Sequence, residues 1–285
     1  MPQLTLDQTT IEYRVLGPEE SEHPPVLFVH GILVNHQLWL QVAEALADNG
    51  FRCILPDWPL GSHTIPVGDG ADLSPRGVAT LIRDVIVALN LSDVTLVGSD
   101  TGGGLCQLVI DAYPEHVGRV VLTNCDAFEK FPPFPFDVAF ALLRGPISIK
   151  ALMAMMRVKA LRHSPLGFGL LLNHPDPALT ESWVRPCLDD TRICRDLAKL
   201  LRNVAATDLT EVAERLPQFA KPVTLVWGQV DRCFTPSLGR RLAAQFPNAT
   251  LVEVPNAKTF VALDDPAAVV EAIEKIGARP AIPGS

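Results

Sequence analysis

Short runs of β-branched and apolar residues, each bounded by turn-forming residues, punctuate the first half of the chain. Residues 11–16 and 26–30 read as strands separated by a turn rich in proline and glutamate. Residues 51–55 and 94–97 are short, mainly apolar runs bounded by turn residues, as expected of buried parallel strands. Between these two, Val78, Leu81, Ile82, Val85, Ile86 and Leu89 fall at offsets 0, 3, 4, 7, 8 and 11 and define one face of a helix. Ser74-Pro75 supplies an N-cap followed by proline at the first helical position. Leu105, Leu108, Val109 and Ala112 repeat the helical spacing after a run of glycines, and residues 117–122, 223–227 and 251–254 read as three further strands. Strands alternating with helices predict an α/β fold with a mostly parallel sheet covered on both faces.

That alternation breaks between residues 127 and 216. The stretch opens on the proline-rich FEKFPPFPFD and then reads as helix throughout. An insert of this kind late in a parallel sheet is expected to cap the carboxyl ends of the strands, where ligands bind in such folds. The plain alternative is a set of helices packed elsewhere on the sheet. The predicted division is therefore a core of residues 1–126 and 217–277, a helical cap of residues 127–216, and a disordered tail of residues 278–285.

Composition narrows the classes of partner. A chain of 285 residues with 48% hydrophobic content and a mean hydropathy of +0.22 can bury a large core. A net charge of −8 disfavours nucleic acid and anionic membranes as partners. The opening MPQLTLDQTTIEYRV lacks the basic and apolar regions of a signal peptide, and no run reaches the roughly 18 apolar residues of a membrane span. Six scattered cysteines (Cys53, Cys106, Cys125, Cys187, Cys194 and Cys233) read as reduced structural thiols, so a cytoplasmic protein is expected. Neither they nor the seven histidines show metal-site spacing, and no G-x-G-x-x-G follows the first strand, so no metal or organic cofactor is predicted. A monomer or homodimer acting on a small molecule is the expected form.

The segment VGSDTGGG, residues 97–104, links a strand to a helix and offers two candidate nucleophiles. A strand-to-helix elbow needs small residues two before and two after the presented side chain, because the strained turn presses those positions against neighbouring backbone. Counted from Asp100 these are Gly98 and Gly102; counted from Ser99 they are Val97 and Thr101. Asp100 is the residue that fits. The simpler reading of such a motif is a helix cap, with the aspartate accepting from free N–H groups.

Two further landmarks accompany it. His30-Gly31 closes a strand and opens a loop, where a following backbone N–H would form half of an oxyanion hole. WGQVD places Asp231 shortly after another strand. Taken in this order, HG loop, elbow, helical insert and Asp231 resemble the α/β-hydrolase superfamily from about residue 11 to 276. The aspartate at the elbow is similar to the branch that holds haloalkane dehalogenases and soluble epoxide hydrolases. The resemblance implies Asp100 as nucleophile, Asp231 as orienting carboxylate, and the backbone N–H groups of Ile32 and Thr101 as the oxyanion hole.

The resemblance also exposes a departure. Relatives carry the general-base histidine in a stretch like A-G-H-F ahead of an acidic residue and proline, whereas this chain reads VPNAKTFVALDDP. Lys258 then falls on the glycine and Thr259 on the histidine. An aspartate is ionised at neutral pH at its ordinary pKa of about 3.9 and can still attack carbon, but releasing the resulting ester calls for a base. His36 and His63 are the candidate replacements. Asp126, just past the strand at 117–122, is an alternative acid position, and Lys258 is expected to pair with Asp231. Dehalogenase-like halide donors are missing, since Ile32 and Thr101 stand where relatives place an amide and a tryptophan. The two tyrosines, Tyr13 and Tyr113, lie outside the insert, which removes the epoxide hydrolase-like proton donors. Phe131, Phe134, Phe136, Met153, Met155, Met156 and Trp183 suggest an apolar pocket. The expected activity is hydrolysis of a small, mainly apolar molecule with an atypical or displaced base. The alternatives are a non-hydrolytic isomerase, cyclase or lyase, or a binding protein that has lost turnover.

Overall fold

The computed structural model describes residues 1–278 apart from 130, 132, 134, 144, 205, 206 and 208. Its sheet has eight strands in the order β1-β2-β4-β3-β5-β6-β7-β8. The first two, β1 (Gln3–Leu6) and β2 (Thr9–Leu16), form a hairpin whose second strand runs antiparallel to β4. All the others, β3 (Val26–Val29), β4 (Cys53–Pro56), β5 (Val94–Asp100), β6 (Val117–Cys125), β7 (Val223–Gly228) and β8 (Ala249–Val254), are parallel. Every residue of β3, β4, β5 and β7 is buried. Their lack of alternation in the sequence follows from that, because helices cover both faces.

Helices connect these strands: α1 (Leu40–Asp48), α2 (Pro75–Ala88) and α3 (Thr101–Ala112) in the first half, α10 (Pro236–Ala243), α11 (Val261–Asp264) and α12 (Pro266–Gly277) in the last part. Between β6 and β7 lie α4 (Phe136–Leu142), α5 (Pro146–Met156), α6 (Lys159–Arg162), α7 (Pro177–Asp189), α8 (Thr191–Val204) and α9 (Thr210–Arg215). The cap on α2 is formed as its sequence implies: the Ser74 hydroxyl accepts from the Gly77 N–H at 3.0 Å, and Pro75 occupies the first position. Strand β1 escaped the sequence reading. It is short, its pattern of half-buried and exposed positions carries little apolar signal, and it exists through pairing such as Leu4 with Ile11.

Four tryptophans are fully buried, and one of them fastens the helical segment to the sheet. Trp183 of α7 sits edge-on to Phe168 at 4.9 Å and to Phe260 at 5.8 Å, and its indole donates to Asn35 Oδ1 at 3.1 Å. Truncating such a side chain to alanine costs about 3–5 kcal/mol. Beside it, Ser62 donates to the Trp183 carbonyl at 2.7 Å. All six cysteines are buried free thiols. Among the described residues no helix is long and apolar enough to cross a membrane.

Candidate active site

Strand β5 runs into α3 through Asp100, whose backbone is held at φ 54° and ψ −134°. A non-glycine residue in this region costs about 1–3 kcal/mol, so the surroundings have to impose it. They do so through glycines. A Cβ on Gly102 would lie 2.3 Å from the Val29 carbonyl oxygen, and one on Gly98 would lie 2.6 Å from Cys106 Sγ. Neither of the two positions that the sequence singled out can accommodate a side chain. A Cβ on Gly31 would come within 2.1 Å of Asp100 Oδ2, so the HG loop lies directly against the carboxylate.

Asp100 does not act as a side-chain cap for α3. It stands on the wall of a cavity of about 180 Å³ together with Ile32, Leu33 and Thr101. Phe136, Leu152, Met153, Met156 and Phe168 supply an apolar roof. Ser99 is not part of this lining; its hydroxyl is buried without a hydrogen-bond partner. Burial pushes the Asp100 pKa up to about 7. The Thr101 N–H opposes that push, the nearby Asp231 adds to it, and the Ile32 N–H opposes it.

The HG loop is held by His30. Its Nε2 accepts from the Trp58 N–H at 2.9 Å, which leaves Nδ1 protonated to donate to the Gly31 carbonyl at 2.9 Å. Burial lowers its pKa to about 4, so the ring is neutral and fixes the carbonyl next to Ile32.

Asp231 is buried just beyond β7 and is fully engaged. Oδ1 accepts from the backbone N–H groups of Cys233 at 2.7 Å and Phe234 at 3.1 Å. Oδ2 accepts from the Thr259 hydroxyl at 2.8 Å and from Asn124 Nδ2 at 2.9 Å. Burial nevertheless raises its pKa to about 6, against the lowering by these four donors. Asn124 also accepts from the Gly228 N–H at 2.6 Å, so it stitches β6 to the turn that carries Asp231. Sequence reasoning missed Asn124, since a lone asparagine at a strand end has no motif around it.

Asp126 adds a third carboxyl. It is fully buried, and neither of its oxygens has a hydrogen-bond partner. Burial first, and the charge of Asp100 second, hold its proton on well above the ordinary carboxylate range. The Thr101 side chain works in the opposite direction without reaching hydrogen-bond geometry.

Several expectations are corrected. Lys258 does not meet Asp231; its ammonium donates to the carbonyls of Gly169 at 2.8 Å and Leu172 at 3.3 Å, in the loop ahead of α7. A long flexible cation finds backbone acceptors there, while the threonine hydroxyl reaches the carboxylate. Neither His36 nor His63 lines the Asp100 cavity. His36 Nδ1 pairs with Asp57 at 2.8 Å, on the wall of a separate hollow of about 500 Å³. His63 Nε2 faces Asp196 of α8 at 3.4 Å, and its Nδ1 accepts from the Gly61 N–H. Of the aromatic and methionine residues expected at the pocket, Phe136, Met153 and Met156 line it, whereas Phe131 and Trp183 are packed into the core and Met155 is exposed. Phe134 lies outside the described residues. Among the described residues no three histidine, cysteine or acidic side chains converge as a metal site.

Similarity to known proteins agrees with this fold. A family model described as the alpha/beta hydrolase fold matches residues 24–266. The chain is 28% identical over 281 residues to haloalkane dehalogenase 2 of Mycobacterium tuberculosis, spanning 93% of this chain and 92% of that one. It is 26% identical over 216 residues to a 2-hydroxy-6-oxononadienedioate/2-hydroxy-6-oxononatrienedioate hydrolase of Burkholderia vietnamiensis, with 73% and 70% covered. Two solved structures share the fold. An alpha/beta hydrolase fold protein of Burkholderia ambifaria has a TM-score of 0.74 at 21% identity, covering 96% of this chain and 97% of its own. A thermophilic esterase of Thermogutta terrifontis has a TM-score of 0.71 at 20% identity, covering 98% and 100%.

Proposed function

The chain belongs to the α/β-hydrolase fold family, and from that premise we propose an enzyme that acts on a small, mainly apolar molecule through the carboxylate of Asp100. The observation that carries the reading is the placement of this one strained, cavity-facing acid beneath an apolar roof, between the N–H groups of Ile32 and Thr101. In this reading residues 127–216 cap a core formed by 1–126 and 217–277. The buried free thiols are in keeping with a reducing compartment.

The first step is attack by an Asp100 oxygen on a carbon that carries a leaving group. A C–O ester bond forms, and the leaving group departs with its electron pair. Release requires water to attack the ester carbonyl while a base takes the water's proton. Thr259 stands where the family's histidine is expected and is committed to Asp231 through its hydroxyl. With His36 and His63 turned elsewhere, release is the slow step, since the loss of a general base costs about 10²–10⁴ in rate. A specific observation favours a second reading: Asp100 is the one titratable side chain on the cavity wall among the described residues, and its pKa is about 7. A carboxyl that is both protonated and ionised near neutrality is suited to proton transfer in an isomerisation or elimination.

Intact-mass measurement after incubation with alkyl halides, epoxides and esters separates the two. A persistent adduct on Asp100 supports attack with slow release. An isomerised or eliminated product, formed without an adduct or added water and abolished in Asp100→Asn, supports proton transfer. Product that is unchanged in Asp100→Asn overturns both.

A further inference from the structure

Helix α5 is apolar on both of its faces. Ile149, Leu152, Met153 and Met156 fall at offsets 0, 3, 4 and 7 and turn inward, and the last three line the cavity of Asp100. Ile147, Ala151, Ala154 and Met155 fall at offsets 0, 4, 7 and 8 on the opposite side and are exposed, Ile147 by 84%. Val158 and Leu161 continue the exposed apolar surface toward α6. Leu166, 92% exposed, is also part of the cavity lining and so joins this surface to the cavity's edge. A surface helix ordinarily turns charged residues outward, and a continuous exposed apolar face marks an interaction surface.

Charge identifies the partner. From residue 138 to 175 the sequence contains no aspartate or glutamate and five basic residues, Arg144, Lys150, Arg157, Lys159 and Arg162, in a chain whose net charge is −8. Arg162 is buried and serves the fold, donating to Thr180 and to the carbonyls of Met156 and Pro177. Lys150, Arg157 and Lys159 are exposed and lie on or beside the apolar face. Among the described residues none of the three forms an ion pair; Lys150 donates to the Thr191 hydroxyl at 3.0 Å. Arg144 lies outside the described residues.

We propose that the outer face of α5 and α6 docks on a lipid surface with anionic headgroups. Ile147, Met155, Val158 and Leu166 enter the boundary between headgroups and acyl chains, while Lys150, Arg157 and Lys159 meet the phosphates. Apolar side chains rimmed by cations are the arrangement that binds in the plane of a membrane without spanning it. The whole-chain charge argued against such a partner, but fields are screened over about 8–10 Å, and the acids near this patch, Glu181 and Asp190, are each paired with an arginine, Arg162 at 3.8 Å and Arg192 at 2.7 Å. A two-fold contact with a second copy fits less well, because it would bring the same three cations against their own images.

Vesicle co-sedimentation of the full chain tests the proposal. Phosphatidylcholine vesicles containing phosphatidylglycerol should retain the protein at low salt and release it as salt is raised, while pure phosphatidylcholine should retain little. The double substitution Arg157→Glu with Lys159→Glu should weaken retention by at least about tenfold. Ile147→Ser with Met155→Ser should weaken it as well, and unchanged circular-dichroism melts would show that both variants fold. Equal retention by the two vesicle types, none by the anionic one, or undiminished binding by the charge-reversed variant overturns the proposal. A dimer in analytical ultracentrifugation that Ile147→Ser with Met155→Ser disperses, without vesicle binding by the parent chain, assigns the face to a second copy instead. None of these readouts involves Asp100, so they stand or fall apart from the proposed chemistry.

Discussion

Asp57 and Asp231 are both buried and both follow parallel strands, yet they keep different company. Asp57, after β4, accepts from the ring and the backbone N–H of His36, both at 2.8 Å. Asp231, after β7, accepts from the Thr259 hydroxyl, from Asn124 and from two backbone N–H groups. The imidazole that would make a base is thus paired with the carboxylate beside the wrong hollow, and the carboxylate beside the reactive acid holds a hydroxyl with no basicity near neutral pH. Possession of a His–Asp pair says little about catalysis; the strand end at which it sits decides what it can reach.

This contrast can be broken in four ways, from the largest expected effect to the smallest. Replacing Asp100 by asparagine removes the group on which either chemistry rests, so adduct formation and turnover should both fall to background in the mass and product assays. Thr259→His returns an imidazole to the side of Asp231. Release of an Asp100 ester, followed as decay of the adduct mass in a single turnover, should then accelerate by about 10²–10⁴. Because Thr259 is fully buried, the larger ring should also cost about 1–3 kcal/mol in denaturant unfolding. An adduct as durable as in the parent chain would mean that Asp231 cannot support a base where it stands.

His36→Ala gives the opposite pattern. It leaves the Asp57 carboxylate short of a donor, and about 1–3 kcal/mol of stability should disappear while alkylation at Asp100 changes less than about twofold. A collapse of alkylation instead would place His36 in the chemistry after all.

The fourth is a pH dependence. Asp100 and Asp231 titrate at about 7 and about 6, and burial raises Asp126 well above the ordinary carboxylate range, so all three lie above the unfolded carboxylate value. The folded chain therefore holds protons that the unfolded chain has already released. Stability from these groups is complete below a pH of about 4 and falls as pH rises through about 6 and 7. Asp126→Asn should flatten that fall, raising the melting temperature more at a pH of about 8 than at about 5. Attack by Asp100 needs the ionised form, so its rate should climb with pH up to about 7 and level off above it. An alkylation rate that is flat across this window would argue against the raised value.

The frame was legible in the sequence because it rests on local rules. The unalternating strands, the capped helix from Pro75 and the glycines two residues either side of Asp100 each report their own surroundings. What could not be read were contacts between residues far apart in the chain. Whether the Lys258 or the Thr259 side chain reached Asp231 depended on carbonyls 86 and 89 residues away that give the lysine another partner. The placement of His36 beside Asp57 likewise depended on where β4 lies in the sheet, and Asn124 declared itself only through partners on β7 and beyond.

The burial of all six cysteines has a practical consequence. Thiolates are usually the first groups that carbon electrophiles modify, but here burial pushes Cys53 and Cys233 up to about 12 and raises the others too. An alkylating probe offered to the native molecule therefore meets no competent thiolate. Mass added to the folded protein is therefore not cysteine labelling, and cysteine labelling becomes a separate gauge of how often the molecule opens.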